Sequence, residues 1–186
     1  MQHIDYAGGE FYEGEVNELN QKHGIGRYVW ADGSRYEGEW ALDQRTGAGV
    51  YFFPDGGKYE GQFLANMMSG MGVYSYPNGD RYEGSWLLGK KNGRGIYRKA
   101  DGGRYEGEFK DNAFHGAGAY YYPDGTTYIG YWKKDSWCGA GRKAQFNGYT
   151  FEGIWSDNLN AENVTLTIDG HVYKGKIVNN SFIQNT

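Results

Sequence analysis

The chain repeats itself about every 23 residues, and this period restricts its fold more than any other feature of the sequence. An aromatic residue, usually followed by Glu-Gly, recurs at Tyr12, Tyr36, Tyr59, Tyr82, Tyr105, Tyr128, Phe151 and Tyr173. The spacings are 24, 23, 23, 23, 23, 23 and 22 residues. A fixed period of this length is typical of arrays in which one small structural repeat is stacked many times. We therefore predict a repeat array rather than an ordinary globular domain.

Glycine marks two further positions in each repeat. A Gly-x-Gly follows the tyrosine in the middle repeats, at Gly47/Gly49, Gly70/Gly72, Gly93/Gly95, Gly116/Gly118 and Gly139/Gly141, and one inserted residue moves the first copy to Gly24/Gly26. A pair of the type Asp-Gly or Asn-Gly, such as Asp32-Gly33 or Asn78-Gly79, then closes the repeat. These pairs favour tight turns because glycine accepts the positive φ that such turns require. Each repeat is therefore predicted to be a strand, a loop, a second strand and a turn.

The alternation of side chains explains an unusual composition. The chain has 32 glycines, 18 tyrosines and 6 tryptophans among 186 residues. In the run from Tyr36 to Trp40, a strand places Tyr36, Gly38 and Trp40 on one face and two glutamates on the other. Glycine alone weakens a strand, but rings that lie across glycines on neighbouring strands restore the lost contacts. We predict an all-β fold: an elongated, twisted antiparallel sheet of about seven stacked β-hairpins with a 23-residue period.

The array is predicted to extend over residues 1–186 as a single domain. Residues 1–10 form an N-terminal half-hairpin, residues 11–150 form six regular repeats, and residues 151–186 form a degenerate C-terminal repeat and cap. In the degenerate repeat Glu162-Asn163-Val164 replaces Gly-x-Gly, and bulkier aliphatic side chains follow on one alternating face. Val164, Leu166 and Ile168 are therefore interpreted either as a terminal cap or as the seam of a homodimer. Both interpretations stay open at this point.

The succession Tyr-Glu-Gly-Glu-Trp, Gly-x-Gly-x-Tyr and Asp-Gly closely resembles the MORN (membrane occupation and recognition nexus) repeat. The resemblance covers the chain from about Phe11 to Ile177, with departures at Ile129, at Lys143 and in the repeat that begins at Phe151. It implies a non-catalytic scaffold for protein partners, often at cytoskeletal or ciliary structures. A peripheral adaptor that binds phosphoinositides or other acidic lipids is the alternative function.

No set of residues in the sequence predicts catalysis. The run from Gly84 to Lys91 is one residue short of a phosphate-binding loop, has Lys91 where Ser or Thr would bind Mg²⁺, and precedes no predicted helix. The four histidines lie in different repeats and form no short metal-binding motif with Cys138. Glutamates at i and i+2 are expected on a solvated sheet face, where nothing raises a pKa for acid–base chemistry. We predict no enzyme activity, no cofactor and no metal.

Charge is distributed unevenly along the chain. The net charge is -4, but residues 1–80 hold five basic and twelve acidic residues, whereas the remainder holds fourteen and eleven. The basic residues concentrate in the fourth repeat, at Lys90, Lys91, Arg94, Arg98, Lys99 and Arg104. This basic patch is a candidate site for phosphoinositide headgroups or acidic protein segments. A solvated face without a ligand is the alternative, and the acidic first half argues against nucleic acid.

Apolar residues stand at equivalent positions in the predicted loops between the two strands of a repeat. Met67, Met68, Phe114 and Trp137 are therefore a candidate stripe for protein binding, because methionines and exposed aromatic rings suit protein partners. The alternative is that these side chains fold back onto the sheet. Cys138 is the only cysteine, and we see neither a signal peptide nor an apolar run that would span a membrane. These features predict a cytoplasmic location, cytoskeletal or peripheral to a membrane.

Overall fold

The structure is a computed structural model that describes residues 1–185, and nearly all of its regular structure is β-strand. The strands are β1 (Gln2–Asp5), β2 (Phe11–Val16), β3 (Lys22–Val29), β4 (Arg35–Ala41), β5 (Gln44–Phe52), β6 (Lys58–Leu64), β7 (Met67–Ser75), β8 (Arg81–Leu87), β9 (Lys90–Arg98), β10 (Arg104–Lys110), β11 (Ala113–Tyr121), β12 (Thr127–Lys133), β13 (Ser136–Ala144), β14 (Thr150–Trp155), β15 (Ala161–Ile168), β16 (His171–Val178) and β17 (Ser181–Gln184). A single 3-10 turn, Ala7–Gly9, separates β1 from β2. Residues 1–185 contain no α-helix.

The chain divides into two compact units, unit 1 (Met1–Lys91) and unit 2 (Asn92–Thr186). In unit 1, each strand from β1 to β8 pairs antiparallel with the next. In unit 2, β9 pairs with β10, and the same meander continues to β17. Both units use the hairpin repeat, so the predicted all-β fold of consecutive hairpins is confirmed. The assignment of residues 1–186 to a single array stays a prediction.

The core of a repeat is a tyrosine ring that lies on glycine. Tyr36 is fully buried, and Gly38 and Gly49 stand directly opposite each other on β4 and β5. A Cβ atom on Gly49 would overlap both the ring and the hydroxyl of Tyr36. Only glycine leaves enough space for the ring at this position. The ring in turn supplies the apolar contacts that the two glycines lack because they have no side chains.

The hydroxyl of this buried tyrosine is satisfied by backbone carbonyls. Tyr36 Oη donates to the carbonyl oxygen of Glu39 at 3.0 Å and to that of Thr46 at 3.3 Å. Both acceptors flank the β-bulge at which the register between β4 and β5 shifts, after Gly38. A buried hydroxyl without such partners would carry a desolvation penalty. At Tyr59 the hydroxyl likewise donates to the carbonyl oxygen of Gln62, and burial raises the pKa of that phenol to about 12 although this hydrogen bond acts in the opposite direction.

A second ring joins each repeat to its neighbour. Trp40 lies edge-on between Tyr12 of one repeat and Tyr36 of the next, at centroid distances of 5.6 and 5.2 Å. Its Nε1 donates to the carbonyl oxygen of Gly26 at 3.0 Å. Phe63 occupies the equivalent place between Tyr36 and Tyr59, at 4.9 and 5.1 Å. In each unit, buried rings therefore continue from one repeat to the next along one face of the sheet, which we call the tyrosine face.

The loops inside the hairpins are shorter than predicted. Ala65 and Asn66 both have positive φ, 47° and 69°, and form a two-residue turn between β6 and β7. Met67 is already paired with Leu64, so the prediction that Met67, Met68, Phe114 and Trp137 lie in loops was wrong. All four belong to strands, because the turn needs only two residues. The predicted Asp-Gly and Asn-Gly turns are present at the other end of each hairpin.

The degenerate repeat has an aliphatic core. Val164 is fully buried and Leu166 is 6% exposed, while Ile168 is half-buried. A Cβ atom on Gly153 would lie 2.8 Å from Val164 Cγ2, so valine fills space next to a glycine where other repeats place a tyrosine ring. Val164 and Leu166 are therefore inside the last repeat. This placement favours the terminal cap, and the homodimer seam stays a prediction.

Candidate protein-binding site

A second row of rings lies on the tyrosine face of unit 1. Tyr51 stands directly opposite Tyr36 on β4 and Tyr59 on β6, and Phe53 follows two residues later on the same face. We call the resulting set the aromatic row: Trp30, Tyr51, Phe53, Tyr74 and Tyr76. Their successive ring centroids are 5.3, 4.6, 5.2 and 4.4 Å apart. The contacts are tilted, with interplanar angles of 43, 58, 42 and 42°.

The aromatic row differs from the core rings in its exposure. The core tyrosines Tyr36, Tyr59 and Tyr82 have no exposed surface, whereas every member of the row is only half-buried. The core of unit 1 is therefore complete without covering these rings fully. Burial nevertheless raises the pKa of the Tyr76 phenol to about 12, with the Tyr74 phenol and the Asp80 carboxylate adding smaller effects.

Two cations of unit 1 lie beside the row. The guanidinium carbon of Arg45 is 5.0 Å from the Tyr51 centroid and 5.5 Å from that of Trp30, within cation–π range. Its Nη2 donates to the carbonyl oxygen of Asn66 at 2.9 Å. Burial lowers the pKa of Arg45, and the nearby tyrosines act in the opposite direction. Lys91 Nζ lies 5.7 Å from the Tyr76 centroid.

The position of Arg45 recurs in the six regular repeats and faces the buried tyrosine. It is filled by Lys22, Arg45, Met68, Lys91, Phe114 and Trp137. Phe114 stacks on Tyr105 at 3.8 Å, and Trp137 stacks on Tyr128 at 4.1 Å. In these two repeats the residue predicted to belong to the stripe therefore packs on the core tyrosine and becomes part of the core.

The structure does not bring the predicted apolar stripe together on one exposed surface. Trp137 is 3% exposed, Phe114 and Met68 are half-buried, and Met67 is 41% exposed. Met67 and Met68 are adjacent in β7 and so point to opposite faces. Trp137 Nε1 has no hydrogen-bond partner among residues 1–185, and the ring lines a cleft of about 350 Å³ with Lys143 and Asn158.

The predicted basic patch is divided between faces and between units. Lys90 and Lys91 end unit 1, while the other four residues lie in unit 2. Arg98 and Arg104 stand directly opposite each other on β9 and β10, and alternation places Lys99 on the other face. Lys99 Nζ pairs with Asp101 at 3.5 Å, and Arg104 Nη2 pairs with Glu106 at 3.0 Å. Arg94 is exposed.

Sequence reasoning undervalued the aromatic row, although its signal is visible. An aromatic residue two positions after the second-strand tyrosine recurs at Trp30, Phe53 and Tyr76, but position 99 is lysine and position 145 is glutamine. The adjacent Phe52 points to the opposite face, where Arg35 covers its ring at 3.6 Å. The full row is thus a feature of unit 1. In unit 2, Tyr120 and Tyr122 form an equivalent pair, with ring centroids 4.4 Å apart.

Within residues 1–185, no cluster of three or more His, Cys, Asp or Glu side chains is arranged to hold a metal ion. No helix in the same range has the length and apolar character needed to cross a membrane.

The MORN repeat pattern matches five consecutive segments, residues 12–35, 36–58, 59–81, 82–104 and 105–127. The chain belongs to the MORN repeat family. No curated protein matches it. Among solved structures, the chain is similar to the SAS-4 (dCPAP) TCP domain of Drosophila melanogaster in complex with a proline-rich motif of Ana2 (dSTIL). The TM-score is 0.50 and the identity 11%, over 95% of this chain and 89% of that one. The TCP10c domain of Drosophila melanogaster Sas-4 gives a TM-score of 0.46 and 10% identity, over 95% and 98%. At these identities the likeness concerns the fold alone.

Proposed function

We propose that this MORN-repeat protein is a non-catalytic scaffold that binds a protein segment on the aromatic row of unit 1. The observation that carries the proposal is that five rings remain half-buried beside a core that is already complete. Neighbouring aromatic rings with an adjacent arginine, such as Tyr51 and Trp30 with Arg45, are the residue types that dominate binding energy at protein interfaces.

The comparison with the TCP domain supports a protein partner rather than a small molecule. That domain was solved with a proline-rich motif of another protein, and its fold is similar to that of this chain. The rings of the aromatic row are also half-buried rather than enclosed, whereas small-molecule sites are usually enclosed. Membership of the MORN family makes a cytoskeletal or ciliary assembly, in the cytoplasm or next to a membrane, the setting that we propose.

The experiment compares one tyrosine on each face of the sheet. Tyr74→Ala removes a ring of the aromatic row, while Tyr131→Ala removes one that is 54% exposed and that alternation places on the opposite face of β12. Wild type and both variants are immobilised, and the proteins captured from cell extract are quantified by mass spectrometry. We expect proteins that depend on Tyr74 and not on Tyr131, with little change at high salt. Equal capture by all three forms would contradict the proposal.

A phosphoinositide-binding adaptor is the second candidate function. It is supported by Arg98 Nη1 and Arg104 Nε, which are buried without a hydrogen-bond partner within residues 1–185 and lie on opposite strands. An anion would supply the missing acceptors. Cosedimentation with phosphoinositide vesicles should then weaken as salt rises and fall in Arg98→Gln. Binding that is unchanged in Arg98→Gln would exclude this function.

A homodimer through the C-terminal repeat stays a prediction. Because Leu166 is buried, Leu166→Ala is expected to lower the free energy of unfolding by about 2–5 kcal/mol without changing the particle mass. Val172→Ala, at a 58% exposed position on the adjacent β16, serves as the control and should leave stability nearly unchanged. Light scattering that finds a wild-type dimer and a folded Leu166→Ala monomer would show instead that this side chain forms the seam.

A further inference from the structure

We infer that the aromatic row binds its partner as a polyproline-II segment that presents one proline to each repeat. The inference rests on the proposed function and adds the conformation and the register of the bound segment. The spacing of the repeats, the chemistry of a sheet face and the cations beside the row all favour such a segment.

The repeat period of the sheet matches the period of a polyproline-II helix. Each repeat contributes two strands, and strands lie about 4.8 Å apart, so equivalent rings such as Tyr51 and Tyr74 recur about every 9.6 Å. A polyproline-II helix has three residues per turn with a rise of about 3.1 Å, which gives about 9.3 Å per turn. The mismatch is about 0.3 Å per repeat, and it stays below about 1 Å over the row. A proline at every third position would therefore meet successive ring pairs.

An extended β-strand does not fit the same spacing. Its side chains on one face recur about every 6.6 Å, so they would fall out of register with the rings by about 3 Å per repeat. The face of a sheet also offers no free backbone groups, since the N–H and C=O groups of β5 and β6 are directed at each other. A ligand on this face must bring a backbone that needs few partners. Proline has no N–H group, and polyproline II forms no internal hydrogen bonds.

The rings and cations provide the contacts that such a ligand needs. The tilted pairs Tyr51–Phe53 and Tyr74–Tyr76 present half-buried ring surface, on which proline rings pack in other aromatic recognition sites. Arg45 lies beside the first pair and Lys91 beside the second. Both carry N–H donors, and the carbonyl oxygens of a proline-rich backbone accept hydrogen bonds. The row therefore combines apolar contact with donors, which complements a segment rich in acceptors.

The test uses labelled synthetic peptides and the full chain. One peptide has proline at every third position with Ser or Gln between, a second has the same residues with the prolines at irregular spacing, and a third has alanine for proline. Fluorescence anisotropy should show saturable binding of the first peptide, and binding at least about tenfold weaker for the other two. Tighter binding of the alanine peptide would point to a helical ligand and overturn the inference.

Two adjacent phenylalanines provide a matched pair of variants. Phe53→Leu removes a ring of the aromatic row, whereas Phe52→Leu makes the same change at the last residue of β5, on the opposite face of the sheet. We expect Phe53→Leu to weaken the binding of the first peptide by about tenfold and Phe52→Leu to leave its affinity unchanged. Equal effects of the two variants, or no binding by wild type, would overturn the inference.

Two further controls are needed. One distinguishes a loss of binding from a loss of folding, and the other distinguishes failure of the polyproline-II inference from failure of the proposed function. Circular dichroism establishes that each variant is folded, and Tyr74→Leu with Tyr131→Leu replaces the pair if Phe53→Leu is not. Capture of proteins that depends on Tyr74, without binding of any proline peptide, would refute the polyproline-II inference alone. Absence of both would refute the proposed function as well.

Discussion

At the scale of single residues, stability depends on a tyrosine ring placed against glycine. Tyr36 lies across Gly38 and Gly49, and its hydroxyl donates to two carbonyls. The sequence predicted the ring and glycine contact, because alternation places these residues on one face. It did not predict the hydroxyl contacts, since they depend on the bulge after Gly38, and a single sequence carries no clear mark of a shifted register.

A methyl group on the glycine should therefore destabilise the repeat. We expect Gly49→Ala to lower the free energy of unfolding by about 1–3 kcal/mol, because the new Cβ overlaps the buried ring of Tyr36. Ala48→Ser, at the exposed neighbouring position on the other face, should change it by less than about 0.5 kcal/mol. Urea unfolding measures both. A Gly49→Ala variant as stable as wild type would mean that the ring moves aside freely.

The buried phenols also limit the stability of the fold at high pH. Burial raises the pKa of Tyr12 and Tyr59 to about 12, from an ordinary value near 10. Above about pH 10 the unfolded chain releases protons that the folded chain keeps, so stability is complete below pH 10 and falls as pH rises towards 12. Near-ultraviolet absorbance of tyrosinate and circular dichroism should change together above pH 10. Ionisation of these phenols near pH 10 in a folded chain would contradict this burial.

At the scale of the structural element, the two-residue turns connect each hairpin to the preceding one. Asn66 Oδ1 accepts a hydrogen bond from the Arg45 backbone N–H at 2.9 Å, and the Asn66 N–H donates to the Arg45 carbonyl at 3.0 Å. Sequence reasoning missed these turns because leucine and alanine, at Leu42 and Ala65, precede the turn-forming residue. Positive φ is unusual for such residues, so the turn signal is carried by the second position alone.

Substitutions at Asn66 separate the side-chain bond from the backbone conformation. Asn66→Gly keeps the positive φ but removes the side-chain acceptor, and it should cost about 1 kcal/mol of unfolding free energy. Asn66→Ala loses the acceptor and also places alanine at a φ of 69°, so it should cost more. Thermal unfolding should rank the three forms in the order Asn, Gly, Ala. The equivalent residue Gly89, which keeps only the backbone bond to Met68, is the natural precedent.

At the scale of the whole molecule, the repeat period predicted the fold but not the site. The six regular repeats share the core tyrosine, and so the period identifies the fold. The half-buried rings of the aromatic row vary from repeat to repeat, and exposure depends on how the face packs. The proposed stripe failed for the same reason: Phe114 and Trp137 are apolar in the sequence, but the strand turns them onto Tyr105 and Tyr128.

The most direct test of the account asks which face of unit 1 touches a partner. A photo-reactive phenylalanine analogue is incorporated at position 53 or, as the matched control, at position 52, and each protein is irradiated in cell extract. The two residues are adjacent in the chain, but their side chains lie on opposite faces of the sheet. Phe53 contacts Tyr74 on one face, and Phe52 contacts Arg35 on the other. Binding on the aromatic row predicts cross-links to other proteins from position 53 and none from position 52. Cross-links from position 52 alone, or equally from both, would contradict it.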